Sequence, residues 1–160
     1  MDIIIYLWAW GIFNFCIGLF EIYGYMNKDN LVLEKETIWN NETKLLVSNF
    51  GILAWSEYCK VDPRYIIKPY VWWFEIINFI ISLVFLGLLI TKNYNELKIV
   101  ILLSILNCCV YFISLILEYL YDEEVQNKIK MYSQRWMLLL YYFISSIWII
   151  VPLILYNMLR

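Results

Sequence analysis

The chain has 160 residues, 63% apolar, 19% aromatic and 16% charged, and it contains no histidine. Soluble domains run nearer half apolar and a quarter charged, so a disordered chain, a nucleic-acid binder and an ordinary soluble enzyme are excluded. A net charge of −2 offers no basic field for phosphates, and the missing imidazole removes histidine triads, histidine metal ligands and the usual neutral-pH proton shuttle.

The first apolar stretch, about residues 3–26, is long enough for a helix to cross a bilayer core. It opens Met1-Asp2 without a basic leader and carries Glu21, so it reads as a retained helix rather than a cleaved signal. Residues 27–69 form the longest connection. Within it Leu45, Leu46, Val47, Phe50, Leu53 and Trp55 follow a helix-like apolar pattern, which predicts a segment lying along the membrane interface. Pro63 and Pro69 end any helix before the second span, about 70–90, where Trp72 and Trp73 mark the interface. Residues 91–96 are short and polar, which makes that span and the third, about 97–121, antiparallel neighbours. Residues 122–135 are charged and amphiphilic, and the fourth span covers about 136–158. No span has the one-sided polar stripe of a surface helix, and each is too long and too unalternating for a barrel strand. The fold class is therefore all-α: one four-helix transmembrane domain over 1–160, with an interfacial loop after the first helix.

Orientation stays open. Nine of the twelve Lys and Arg residues lie on the side of the first and third loops, which the positive-inside rule makes cytosolic. Asn41-Glu42-Thr43 is a glycosylation sequon, usable only if that side is lumenal. Cys16, Cys59, Cys108 and Cys109 show no CxxC spacing and read as small hydrophobes, so no metal and no cofactor is expected.

Three acids remain inside the spans: Glu21, Glu75 and Glu118. The spans alternate direction, so all three fall in the half nearer the first and third loops. At 1.5 Å rise per residue, Glu21 and Glu75 lie at nearly the same depth. An intramembrane carboxyl is protonated, paired or facing a cavity, and marks a functional site by default. Glu118 reads as reaching water at the headgroups, whereas Glu75 points deeper. Asn78 can hydrogen-bond Glu75 at i+3 or act as interhelical glue. Ser145, Ser146 and Trp148 sit mid-span in the fourth helix, followed by Pro152. A central Trp either packs a core or offers its π face to a positive charge. Acids plus an aromatic face suit a cationic species in lipid. Binding of an amphiphilic amine or sterol-like lipid fits, as does acid-catalysed rearrangement of a lipid alkene.

Residues 55–65 read WSEYCKVDPRY. This segment resembles the WKEYxKxDSRY segment of the emopamil-binding protein family, the sterol delta-8–delta-7 isomerases. The late acid of the first span, the early Glu of the second and the Trp-to-Pro run of the last fall in matching order. The resemblance covers nearly the whole chain and implies the family's four-helix EXPERA core, which the related sigma-two receptor branch shares and uses to bind cationic amphiphiles. It implies that Glu75 is the catalytic proton donor to a sterol ring alkene, supported by Asn78. Glu21 resembles the acid of the family's H-x-x-x-E element, as base or its orienter. Trp148 resembles the Trp of N-x-x-W that faces the carbocation or an inhibitor amine. Glu57, Lys60, Asp62 and Arg64 resemble a charged lid supporting the pocket mouth.

The chain departs from that pattern at two positions. Ile17 stands where the family has His, and Ser145 where it has Asn. Glu21 then has to serve as base, through a water held by Asn14 or Ser145. The expected function is that of a sterol isomerase-like membrane protein of the endoplasmic reticulum, the alternative a non-catalytic receptor for sterols or cationic amphiphiles. The expected partners are the bilayer and a sterol or amphiphilic amine, with a homodimer compatible and nucleic acid not expected.

Overall fold

The computed structural model describes residues 3–28, 50–132 and 135–159. The described residues form seven helices: α1 (Ile3–Met26), α2 (Phe50–Val61), α3 (Arg64–Ile67), α4 (Val71–Ile90), α5 (Tyr94–Tyr121), α6 (Glu123–Tyr132) and α7 (Arg135–Met158). α1, α4, α5 and the stretch Tyr141–Met158 of α7 are long and apolar enough to cross a membrane. The chain is an integral membrane protein, with four helical spans among the described residues. In lipid only a helix satisfies every backbone N–H and C=O within one segment, which is why these apolar runs take that form.

The spans pack in a ring in which α4 lies between α1 and α5, and α5 between α4 and α7. Contact between α1 and α7 is sparser, so the ring is loosest at that seam. Small residues let α1 approach α4. A methyl group at Gly18 would come within 2.6 Å of Phe79 Cδ2. With hydrocarbon on the outside, such close packing holds membrane helices together where the hydrophobic effect does not. Short connections fix the antiparallel order: Thr91 closes α4 on the Gly87 carbonyl at 3.0 Å, and the Asn93 side chain caps α5.

The two ends of the bundle differ in chemistry. Toward the α4–α5 turn, Leu7, Phe85, Leu89, Leu97, Ile101 and Leu155 form an apolar cluster. Toward the opposite end, Trp55, Cys59, Tyr65, Trp72 and Tyr111 form an aromatic one. In the latter, two indoles are enclosed by protein, one from the first loop and one from the start of α4. Trp55 is 2% exposed, donating its Nε1 proton to the Phe20 carbonyl at 2.7 Å. Trp72 is equally buried and donates to the Tyr65 carbonyl at 2.8 Å, while Trp73 remains at the surface. An amphipathic helix needs an apolar surface to cover, and α2 finds it on the bundle's end. Leu45, Leu46, Val47 and the Asn41 sequon lie outside the described residues, as do the side chains of Phe50 and Leu53.

Candidate functional site

Asn14, Ile17 and Glu21 project from α1 at helical spacing toward Asn78 of α4, Ser104 and Cys108 of α5, and Trp148 of α7. Together they wall a cavity of about 10 Å³, room for one water molecule. A second cavity of similar size adjoins it, sharing Asn14, Asn78 and Ser104 and reaching Trp10, Ser82 and Pro152. Pro152 has no N–H to donate to the Trp148 carbonyl, which interrupts the helical hydrogen-bond ladder of α7 beside this seam. Trp148 lies against Phe13, ring centroids 5.3 Å apart, and against Trp10 at 5.2 Å. Beyond those rings an apolar groove of about 610 Å³ opens between α1 and α7, lined by Tyr6, Ala9, Phe13, Val151 and Met158 among others.

Glu75 sits behind this wall, 6% exposed, while Glu21 is half-buried on it. The two carboxyl groups are direct partners. Glu75 is further held by Asn78 and by the Tyr65 hydroxyl, which donates to Oε1. The Asn78 amide is oriented for this role, since Asn107 Nδ2 donates to its oxygen at 3.0 Å and leaves its N–H groups for Glu75. Asn14 donates to the Trp10 carbonyl at 2.8 Å. Ser145 is buried on α7. The structure thus brings Glu21, Glu75, Asn14, Asn78 and Trp148 into one neighbourhood.

Most of the loop charges expected to support the pocket mouth are enclosed by protein. Asp62 and Arg64 are wholly buried, and Lys60 is 3% exposed beside Glu57, its Nζ donating to the Glu57 carboxylate at 2.9 Å. The Arg64 guanidinium grips Asp62 through Nε at 2.8 Å and Nη2 at 2.7 Å. Its Nη1 donates to Ser114 Oγ at 3.0 Å, and its plane lies 4.6 Å from the Tyr111 ring centroid. Burial opposes its charge, yet the hydrogen bonds and charge of Asp62 outweigh burial and hold its pKa above the ordinary value. These residues form the inner end of the bundle, a cross-brace between the first loop, α5 and α7. Such a burial is tolerated because the charges are paired and their hydrogen-bonding groups satisfied.

Tyr65, Tyr111 and Tyr141 join this brace to the carboxyl pair. Tyr111 and Tyr141 donate to Asp62 Oδ2 at 2.6 and 3.1 Å, their hydroxyls touch each other, and Tyr65 lies 3.3 Å from Tyr111. Tyr58 adds a contact to Tyr141 at 3.4 Å. None of these tyrosines stood out in the sequence as site residues. Glu118 belongs to the outer side of the same brace: it accepts from Tyr70 and lies 3.9 Å from Arg64.

Comparisons of the chain with family models, curated proteins and solved structures return no match.

Proposed function

We propose that the chain is a sterol delta-8–delta-7 isomerase-like protein of the emopamil-binding type, acting in the endoplasmic reticulum membrane. The observation that carries this reading is the Glu21–Glu75 carboxyl pair, of which Glu21 shares a cavity wall with Trp148 and Glu75 lies behind it. In the proposed reaction a carboxylic acid of the pair protonates one carbon of the ring alkene. The positive charge develops next to the indole face, where an aromatic quadrupole favours it. The carboxylate of the pair then removes a proton from the neighbouring ring carbon, leaving the double bond one position over. Proton gain and loss balance, so no cofactor is needed. The resemblance assigns the acid to Glu75 and the base to Glu21; their direct pairing supports treating them as one acid–base unit.

A cavity the size of a water molecule does not hold a sterol, so substrate binding requires the sparse α1–α7 seam to open. The Trp10, Phe13 and Trp148 rings stand between the cavity and the lipid-facing groove, and their displacement would merge the two. The second reading is a non-catalytic receptor for cationic amphiphiles. It is favoured by Ile17, which puts an aliphatic side chain in the cavity wall where the family carries its imidazole.

Membranes carrying the protein should convert a delta-8 sterol to its delta-7 isomer, and Glu75→Gln should abolish that conversion. If parent membranes form no product yet bind a cationic amphiphile that Glu21→Gln releases, the receptor reading replaces the enzyme.

A further inference from the structure

We propose that Tyr58, Tyr141, Tyr111 and Tyr65 form a proton relay that connects the buried Glu75–Glu21 pair to water on the face of the first and third loops. The proposal deepens the acid–base role assigned above to the carboxyl pair and rests on it.

The pair lies between two unlike ends of the bundle. Toward the α4–α5 turn the buried side chains of the cluster, Leu7, Phe85, Leu89, Leu97, Ile101 and Leu155, are all apolar. Toward the other end an unbroken line of hydroxyls runs from the carboxyl to the loops. Tyr65 touches Glu75 Oε1, Tyr111 lies 3.3 Å further on, Tyr141 is in direct contact with Tyr111, and Tyr58 is 3.4 Å beyond it. Tyr58 stands half-buried on α2, outside the spans, and is the outermost link.

Hydroxyls suit this task because each both donates and accepts, so a proton can arrive on one side as another leaves. Ring packing holds the line in place: Tyr58 lies 5.3 Å from Tyr65 and 5.5 Å from Tyr141, centroid to centroid. Asp62, clamped by Arg64, accepts from the Tyr111 and Tyr141 hydroxyls at rest, so each hydroxyl turns its hydrogen from Asp62 to its neighbour in the line when a proton passes. The Tyr65 hydroxyl has one hydrogen and two partners, Glu75 and Tyr111. With Glu75 ionised the hydrogen points to the carboxylate. With Glu75 protonated the acid donates to Tyr65, whose own hydrogen turns to Tyr111. That reversible choice is the elementary step of a hop.

The balance closes without a further reactant. When the Glu75 carboxylate takes the Tyr65 proton, Tyr65 takes one from Tyr111, Tyr111 from Tyr141, Tyr141 from Tyr58, and Tyr58 from water, which becomes hydroxide or draws on buffer acid. Run backwards, the same chain exports a proton. No phenol carries a charge before or after the sequence.

The test uses the full chain in lipid vesicles transferred into deuterium oxide. Infrared spectroscopy follows the carboxylic C=O band of the pair, identified by its change in Glu75→Gln, as O–H becomes O–D. Tyr65→Phe keeps the ring and removes the hydroxyl, and is expected to slow this exchange about tenfold or more, equivalent to about 1.4 kcal/mol on a barrier. Tyr58→Phe removes only the outermost link and should slow it in the same direction, which keeps the test decisive if Tyr65→Phe unfolds. In the sterol assay run in deuterium oxide, product from the parent should carry solvent deuterium. In the variants the pair recycles its own proton, and the label falls in the same measure. Exchange in both Phe variants at the parent rate overturns the relay, even where the sterol is converted. Fast parent exchange, slowed in the variants but with no sterol product, supports the relay while removing the isomerase reading.

Discussion

Replacing Arg64 by Met should open the loop end of the bundle far more often than any substitution on its lipid-facing surface. Both members of the Asp62–Arg64 pair are wholly buried. Asp62 accepts from Arg64 through Nε, Nη2 and the backbone N–H, and from two tyrosines. Without the guanidinium the carboxylate keeps its hydroxyl donors but loses its counter-charge, a change that costs about 3–5 kcal/mol in buried pairs. Each 1.4 kcal/mol is about tenfold, so the open population should rise by at least about a hundredfold. Cys59, wholly buried in the same aromatic cluster, reports it. Burial pushes its thiol pKa up, so it reacts with a maleimide only when the cluster opens. Labelling is followed by peptide mass in a Cys16→Ser, Cys109→Ser background, since those two thiols are not buried. The pair's mutual dependence predicts that Asp62→Asn combined with Arg64→Met costs less than the sum of the single changes, by about 1–3 kcal/mol. Labelling of Arg64→Met at the parent rate, or strict additivity in the double variant, would refute the reasoning.

Two glycines give opposite expectations from the same substitution. Gly24→Ala places a methyl group on the Trp55 indole, which is enclosed and hydrogen-bonded, so a loss of about 1–3 kcal/mol should appear as a lower melting temperature in detergent. Gly87→Ala meets nothing within 4 Å, and removing a helix-interior glycine should stabilise by about 0.5–1 kcal/mol. The Lys68–Asp122 pair, 2.7 Å apart at the loop surface, sets a pH dependence at both ends. Asp122 is lowered chiefly by its hydrogen bond from Lys68, so its contribution is complete above the ordinary aspartate range and lost as pH falls through the lowered value. Lys68 is raised chiefly by its hydrogen bond to Asp122, so its contribution is lost as pH rises through the raised value. Asp122→Asn should flatten both limbs of the stability–pH curve, and unchanged limbs would show that the pair contributes nothing.

The spans were legible because bilayer thickness imposes a length on apolar runs. The first reads as 3–26 and forms Ile3–Met26, and the helices that carry the second and fourth agree to one residue, although the membrane-length apolar stretch of α7 begins at Tyr141. The third begins at Tyr94 rather than 97, since Asn93 caps a first turn whose polar residues, Asn95 and Glu96, look like loop. Apolar content marks the hydrocarbon core, whereas the helix continues into the headgroups. Glu21, Glu75, Asn78 and Trp148 were legible too, as polar or amphipathic side chains in apolar runs. The burial of Asp62 and Arg64 was not, because charge in a loop ordinarily means solvent and their enclosure depends on how α5 and α7 close over them. The tyrosines were hidden for a different reason. Tyr65 and Tyr111 are 46 residues apart, Tyr111 and Tyr141 another 30, and in a chain with fourteen tyrosines each reads as interfacial.

The missing histidine and the line of tyrosines answer to the same constraint. An imidazole that holds the proton as a base becomes a cation, and a cation inside a bilayer is expensive unless a carboxylate compensates it. A phenol chain avoids that state, since each hydroxyl releases one proton as it receives another and stays neutral. Tyr58, the link outside the spans, is held neutral chiefly by burial, which lifts its pKa well above the ordinary phenol value. In the proposed chemistry the fixed charges are accordingly separated from the mobile proton. Asp62 and Arg64 carry the charge and set the geometry, while Tyr65 and the carboxyl pair carry the proton. On that proposal Ile17 in the cavity wall needs no acid–base role, since carboxyls and phenols would carry the proton and the hydroxyl line would be its route to water.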